Sequence, residues 1–164
     1  MNWNKNLVLC ILIIFISCAK YSFRGALPSY LETLYIQDFQ DKTNYPGAWE
    51  NFMQQVTNAF IIDNSLKVIE DEKSADLVLK GTLMSVKRRP TSINPQETVQ
   101  EYQMVLTIRT ECFNTHSQKP LWSGNISRFG IIDGAALRDE IDNAILVAID
   151  QIVEDIISKT IGAW

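Results

Sequence analysis

From Ala135 to Ile161 the chain sets an apolar residue at nearly every third or fourth position: Leu137, Ile141, Ala144, Ile145, Ala148, Ile149, Ile152, Val153, Ile156 and Ile157. At 3.6 residues per turn these side chains share one broad stripe of a helix. Asp139, Glu140, Asp142, Asp150, Glu154, Asp155 and Lys159 fall opposite or beside it. Such a stripe must lie on a membrane or on another apolar surface of the same protein. Helices that lie on membranes are usually rich in Lys and Arg on their polar face. This one is mainly acidic, so it is expected to pack on a sheet.

The strands for that sheet are legible upstream. Tyr102 to Phe113 alternates, with Tyr102, Met104, Leu106, Ile108 and Cys112 on one side and Gln103, Thr107, Arg109 and Glu111 on the other. A period of two with one apolar side is a strand of a sheet buried on one face. Leu31–Phe39, Leu66–Ile69, Leu77–Arg88 and Leu121–Phe129 read as further strands, with Gly81 marking a weak point or a bulge. Arg89–Glu101 holds Pro90 and Pro95 and few apolar residues, which predicts a loop. A second helix is expected after Asn44 as N-cap and Pro46 near its first position. Its stripe is Trp49, Phe52, Met53, Val56, Ala59 and Phe60, and Asp63-Asn64-Ser65 ends it. The order strand, helix, four strands, helix predicts an α/β (α+β) two-layer sandwich. In it a mostly antiparallel or mixed sheet of four to five strands carries two helices on one face. The other face is left for a partner.

The N-terminus has a separate purpose. Leu7–Ile16 is an unbroken apolar run after Lys5, too short for the roughly 20 residues of a bilayer span and suited to a secretory signal. It closes on Phe15-Ile16-Ser17-Cys18, which resembles the lipobox of bacterial lipoproteins, with a small residue before a cysteine that is lipidated and becomes the new N-terminus. The expected organisation is a signal peptide over 1–17, a lipidated tether over 18–28 and a single domain over 29–164. Several acyl chains on Cys18, palmitate among them, would hold the protein at a membrane better than one could. Cys10 would be removed with the signal, leaving Cys112 without a partner for an intramolecular disulfide, as a buried small hydrophobe. Without Lys5 the basic count falls from 15 to 14 against 19 acids, about −5, which disfavours nucleic acid as a partner.

No catalytic constellation emerges. His116 is the only histidine and lies in the turn Asn114-Thr115-His116-Ser117. A pair with Cys112 is conceivable, but nothing in the sequence orients the imidazole and no oxyanion-binding loop adjoins, so an exposed turn histidine is expected. Zinc would need several His or Cys ligands. Asp38 and Asp41 read as solvated or capping acids, and Gly130 and Gly134 match no phosphate-cradling motif. An enzyme, a cofactor and a metal are therefore not expected. The outstanding feature is Lys87-Arg88-Arg89, a basic cluster where a strand enters the proline-bearing segment of an acidic protein. Guanidinium groups grip phosphates bidentately, so all three are candidates for an anion site.

With these residues in place, the chain resembles the lipopolysaccharide-assembly lipoprotein family LptE. The likeness runs from Cys18 through Tyr21-Ser22-Phe23-Arg24-Gly25, then Leu34-Tyr35-Ile36, Phe39 and Asn44-Tyr45-Pro46-Gly47. It continues over Phe60–Val68 and Ala75-Asp76-Leu77-Val78-Leu79-Lys80-Gly81. The resemblance implies a sheet with two helices on one face, a lipid anchor on the periplasmic side of the outer membrane, and no reaction catalysed. It further implies an LptD-type β-barrel as partner and lipopolysaccharide as ligand; lipid A carries phosphates, so Lys87, Arg88 and Arg89, though matched to no motif of the family, become candidate contacts for them. Two other functions fit the same residues: another envelope lipoprotein of related fold (a secretion-pore subunit or a cell-wall synthase activator), and a hydrolase built on Cys112 and His116.

Overall fold

The C-terminal stripe does find a sheet. The computed structural model describes residues 27–93 and 99–162; the signal segment, Cys18 and most of the tether lie outside the described residues. In chain order the elements are β1 (Thr33–Ile36), β2 (Gln40–Asp41), helix α1 (Ala48–Asp63) and β3 (Lys67–Ile69). A 3-10 turn (Glu72–Ser74) follows, then β4 (Leu77–Ile93), β5 (Val99–Asn114), β6 (Lys119–Asp133) and helix α2 (Arg138–Ile161). The sheet is mixed and open, in the order β3-β1-β4-β5-β6, with β2 a short second partner of β4. β1 runs parallel to both β3 and β4, while β4, β5 and β6 form an antiparallel meander. Parallel neighbours need a crossover, and α1 supplies the one from β1 to β3.

Both helices cover one face. Phe52, Val56 and Phe60 of α1 and Ala148, Ile149, Ile152 and Ile156 of α2 are fully buried against Leu34, Leu77, Leu79, Leu83, Leu106, Ile108 and Cys112 of the strands. Burial of each large side chain is worth about 1.5–3 kcal/mol, which makes this layer the main source of stability. Phe39 and Phe52 meet edge to face at 4.9 Å. The indole Nε1 of Trp49 donates to the Phe39 carbonyl at 2.6 Å, pinning the start of α1 to the β1–β2 connection. Tyr45 donates its hydroxyl to Asp142 of α2 at 2.6 Å.

The structure departs from the sequence expectations in four places. The strand expected over Leu31–Phe39 is divided, because Gln37–Phe39 swings Phe39 under Gly81 before β2 rejoins β4; a methyl on Gly81 would overlap the Phe39 ring and the Arg109 carbonyl. Helix α1 starts at Ala48, not just after Asn44, since Asn44 and Gly47 both take left-handed backbone that no helix can continue. Leu137, assigned to the apolar stripe of α2, is the N-cap residue and three-quarters exposed. The largest difference concerns the loop expected over Arg89–Glu101: β4 runs on to Ile93 and β5 starts at Val99. Pro90 is tolerated because, among the described residues, β4 has no neighbour but β5 beyond Leu83, so the missing N–H leaves no ladder bond broken on the outer side. The β4–β5 ribbon is on the order of 50 Å long.

Candidate functional site

The uncovered face of the sheet is where side chains are offered to a partner, and a single bulge decides which ones. Leu77, Leu79, Gly81 and Leu83 face the helices; the register then slips between Leu83 and Ser85. One extra residue reverses the alternation, so Val86 and Arg88 follow the helix side, and Lys87 and Arg89 point to the open face. The three consecutive cations therefore do not converge. Arg88 lies with its guanidinium 3.7 Å from the ring centre of Tyr102 and donates to the Gly134 carbonyl at 3.0 Å. It clasps the ribbon to the segment leading into α2. Lys87 and Arg89 are exposed and two residues apart on one strand face, about 7 Å.

Cross-strand register extends that pair into a surface. Lys87 is opposite Val105, and Val105 opposite Phe129; Arg89 is opposite Gln103, and Gln103 opposite Ile131. Phe129 and Ile131 are 40% and 62% exposed. Two adjacent rows thus carry a cation on one side and a large apolar group on the other. Sequence reasoning missed Phe129 and Ile131 as surface residues because only the pairing register through β5 aligns them with the cations of β4. Further along the same face, Asp38, Gln40, Lys80, Arg109, Glu111 and Asn125 line a polar cleft of about 530 Å³. Lys80 pairs with Glu111 at 3.2 Å, and Arg109 donates to the neutral Asn125 amide oxygen at 3.3 Å. Asp41 accepts from the Thr43 amide and hydroxyl and is a capping residue, as expected.

At the opposite end of the ribbon, Asp76 is a knot that the sequence did not show. Its Oδ2 accepts from the amides of Glu32 and Thr33 and from the Thr33 hydroxyl, at 2.7–3.0 Å. Its Oδ1 lies 2.7 Å from His116 Nε2. Burial alone would raise the pKa of this carboxyl. The donated hydrogen bonds from His116, Thr33 and the Glu32 and Thr33 amides outweigh it and hold the group at about 2. The imidazole is therefore oriented after all, against the sequence expectation, but by a residue that ties three chain segments together. It remains half exposed, with Tyr30 edge-on at 5.5 Å.

Cys112 does not join it. The thiol is buried on the helix side, where burial pushes its pKa up to about 12, Glu111 adding to the shift and a contact with Thr160 opposing it. Such a thiol is protonated and inert at neutral pH. Among the described residues no group of His, Cys, Asp and Glu is arranged to hold a metal, and no helix is long and apolar enough to cross a membrane.

One face committed to a core, the other presenting paired cations and apolar groups: this is the anatomy of a small binding domain. The chain belongs to the LptE family, described as lipopolysaccharide assembly, whose model matches residues 31–160. That family is one of assembly proteins without a catalysed reaction. No curated protein matches the sequence. Solved structures share the fold at low identity. A Xanthomonas campestris protein is 11% identical, with 84% of this chain and 88% of that one covered at a TM-score of 0.63. Uncharacterized lipoprotein B from Nitrosomonas europaea is 14% identical, with 87% and 90% covered at 0.61. PelC from Paraburkholderia phytofirmans, a dodecamer, is 15% identical, with 80% and 92% covered at 0.52.

Proposed function

We propose that this protein is an outer-membrane lipoprotein, held on the periplasmic side by a lipid on Cys18, that works with an LptD-type β-barrel to assemble lipopolysaccharide at the cell surface. The observation that carries this reading is the family match over residues 31–160. The open face supports it: Lys87 and Arg89 suit the phosphates of a lipid headgroup, and Phe129 and Ile131, two strands further across, suit its acyl chains. Arg88 is better read as holding the ribbon in place than as a phosphate contact, since both faces of its chemistry are already used.

The test is a pull-down of the tagged full-length protein from detergent-solubilised outer membranes, with mass spectrometry. A stoichiometric large β-barrel protein that brings lipopolysaccharide with it is the expected result. Recovery alone, as a ring of its own copies, or with cell-wall synthases would leave the family and the fold standing and remove the translocon assignment. A K87E/R89E double variant is expected to lose at least tenfold in lipopolysaccharide affinity with an unchanged unfolding midpoint. Equal affinity would sink the assignment of those two residues.

A further inference from the structure

The sheet ends at β6, which pairs with β5 on one side and, among the described residues, with no strand on the other. An exposed strand edge presents a row of backbone donors and acceptors that an incoming strand can pair with. Short edges, bulges and prolines commonly blunt such edges. Here Pro120 and a register slip between Cys112 and Phe113 blunt only the end of the β5–β6 pair next to its turn. The other half, Phe129 to Asp133, is left regular and open.

Helix α2 shapes what lies beside it. It comes so close under the strand at Gly130 that a methyl there would overlap the Ala144 backbone. Drawn inward like this, α2 does not cover the edge; it forms the second wall of a groove of about 340 Å³. Glu140, Asn143 and Val147 lie along that wall, one helical step apart, and Gly130, Ile131 and Asp133 along the strand. Val147 and Ile131 are 48% and 62% exposed. The lining residues include two carboxylates and no cation.

We infer that the Phe129–Asp133 edge and its groove dock an extended polypeptide segment of another protein, with apolar residues at alternate positions and at least one basic residue. Backbone pairing with β6 would supply affinity, Val147 would receive the alternate apolar side chains that point to the helix side, and Asp133, on the opposite face, would select for the positive charge. A second copy of this chain is a poorer occupant. Paired about Ile131 it would bring its own Asp133 and Glu140 onto the same acidic groove. The inference stands apart from lipid binding by Lys87 and Arg89.

The probe is the acetylated, amidated peptide Lys-Val-Thr-Val-Lys-Val-Thr, titrated into the full-length protein in detergent micelles. Affinity is read by calorimetry and backbone protection by hydrogen exchange. Binding that slows amide exchange within Phe129–Asp133, and weakens at least tenfold with Val147→Glu or with Glu in place of the peptide lysines, is the expected result. The surface position of Val147 keeps that variant folded, which its unfolding midpoint checks. Binding within twofold by a peptide N-methylated at alternate residues would overturn strand pairing. So would absence of binding, binding that leaves exchange in Phe129–Asp133 unaltered, or indifference to Val147→Glu. Concentration-dependent dimerisation that protects the same amides without peptide would assign the edge to a second copy instead.

Discussion

Asp76 shows how much one side chain can organise when its lone pairs are all used. Its carboxylate joins the entry to β1, the start of β4 and the β5–β6 turn, and Thr33 returns a hydrogen bond by accepting from the Asp76 amide at 2.9 Å. Hydrogen bonds to a charged group are worth about 1.5–3 kcal/mol each when lost singly and less than additive together. Asp76→Ala is therefore expected to cost about 2–3 kcal/mol, read as a lower urea midpoint with an unchanged slope. Because the folded pKa of about 2 lies below the ordinary carboxylate value of 3.8, this contribution is present in full above about pH 5 and disappears as pH falls toward 2. The stability gap between the parent and Asp76→Ala should be flat from pH 5 upward and close near pH 2. A gap that stays constant through that range would mean the carboxylate is not what the knot depends on. Asp76 lies in the Ala75-Asp76-Leu77 stretch that carries the family likeness, yet its role is illegible there, since its partners lie 40 or more residues away.

Among the elements, β6 and α2 give the sharpest contrast between two glycines of one strand. Gly130 sits where α2 presses closest and has no room for a methyl, whereas a methyl on Gly124 would meet nothing within 4 Å. Gly130→Ala should destabilise by about 1–3 kcal/mol, as overpacking against a rigid helix backbone does. Gly124→Ala should be neutral or slightly stabilising, because it lowers the entropy of the unfolded chain and suits a strand better. Thermal unfolding of the two variants side by side checks this, and equal midpoints would show that the helix can shift away from the strand. The stripes of α1 and α2 were readable from periodicity because burial on a helix repeats every three to four residues whatever the partner. The far end of the β4–β5 ribbon, past Arg88, was not. Pro90 and the polar run after it argue locally for a loop, and only the antiparallel partner, with no strand among the described residues on the outer side, makes an extended conformation acceptable.

For the molecule as a whole, the two-layer design leaves, among the described residues, one sheet face uncovered and the β6 edge unpaired, and a lipid on Cys18, as proposed, would fix where they work. Cys18→Ser is expected to abolish palmitate labelling and release the protein from the membrane fraction, leaving the urea midpoint of the domain unchanged. Retained labelling would move the lipid, and with it the signal boundary, elsewhere. The fold class, the one-sided burial of the sheet and the family were all determined by the sequence itself, because each rests on local composition or on a short period of apolar residues. The disposition of Lys87, Arg88 and Arg89 was not. Whether these cations cluster or separate depends on a bulge at Met84 that reverses the alternation, and whether they have apolar company depends on which residues of β5 and β6 register opposite them. Register and bulges are settled by how the sheet packs on its helices, a nonlocal balance, so only the tertiary structure could divide one basic cluster into a clasp and a candidate lipid-facing pair.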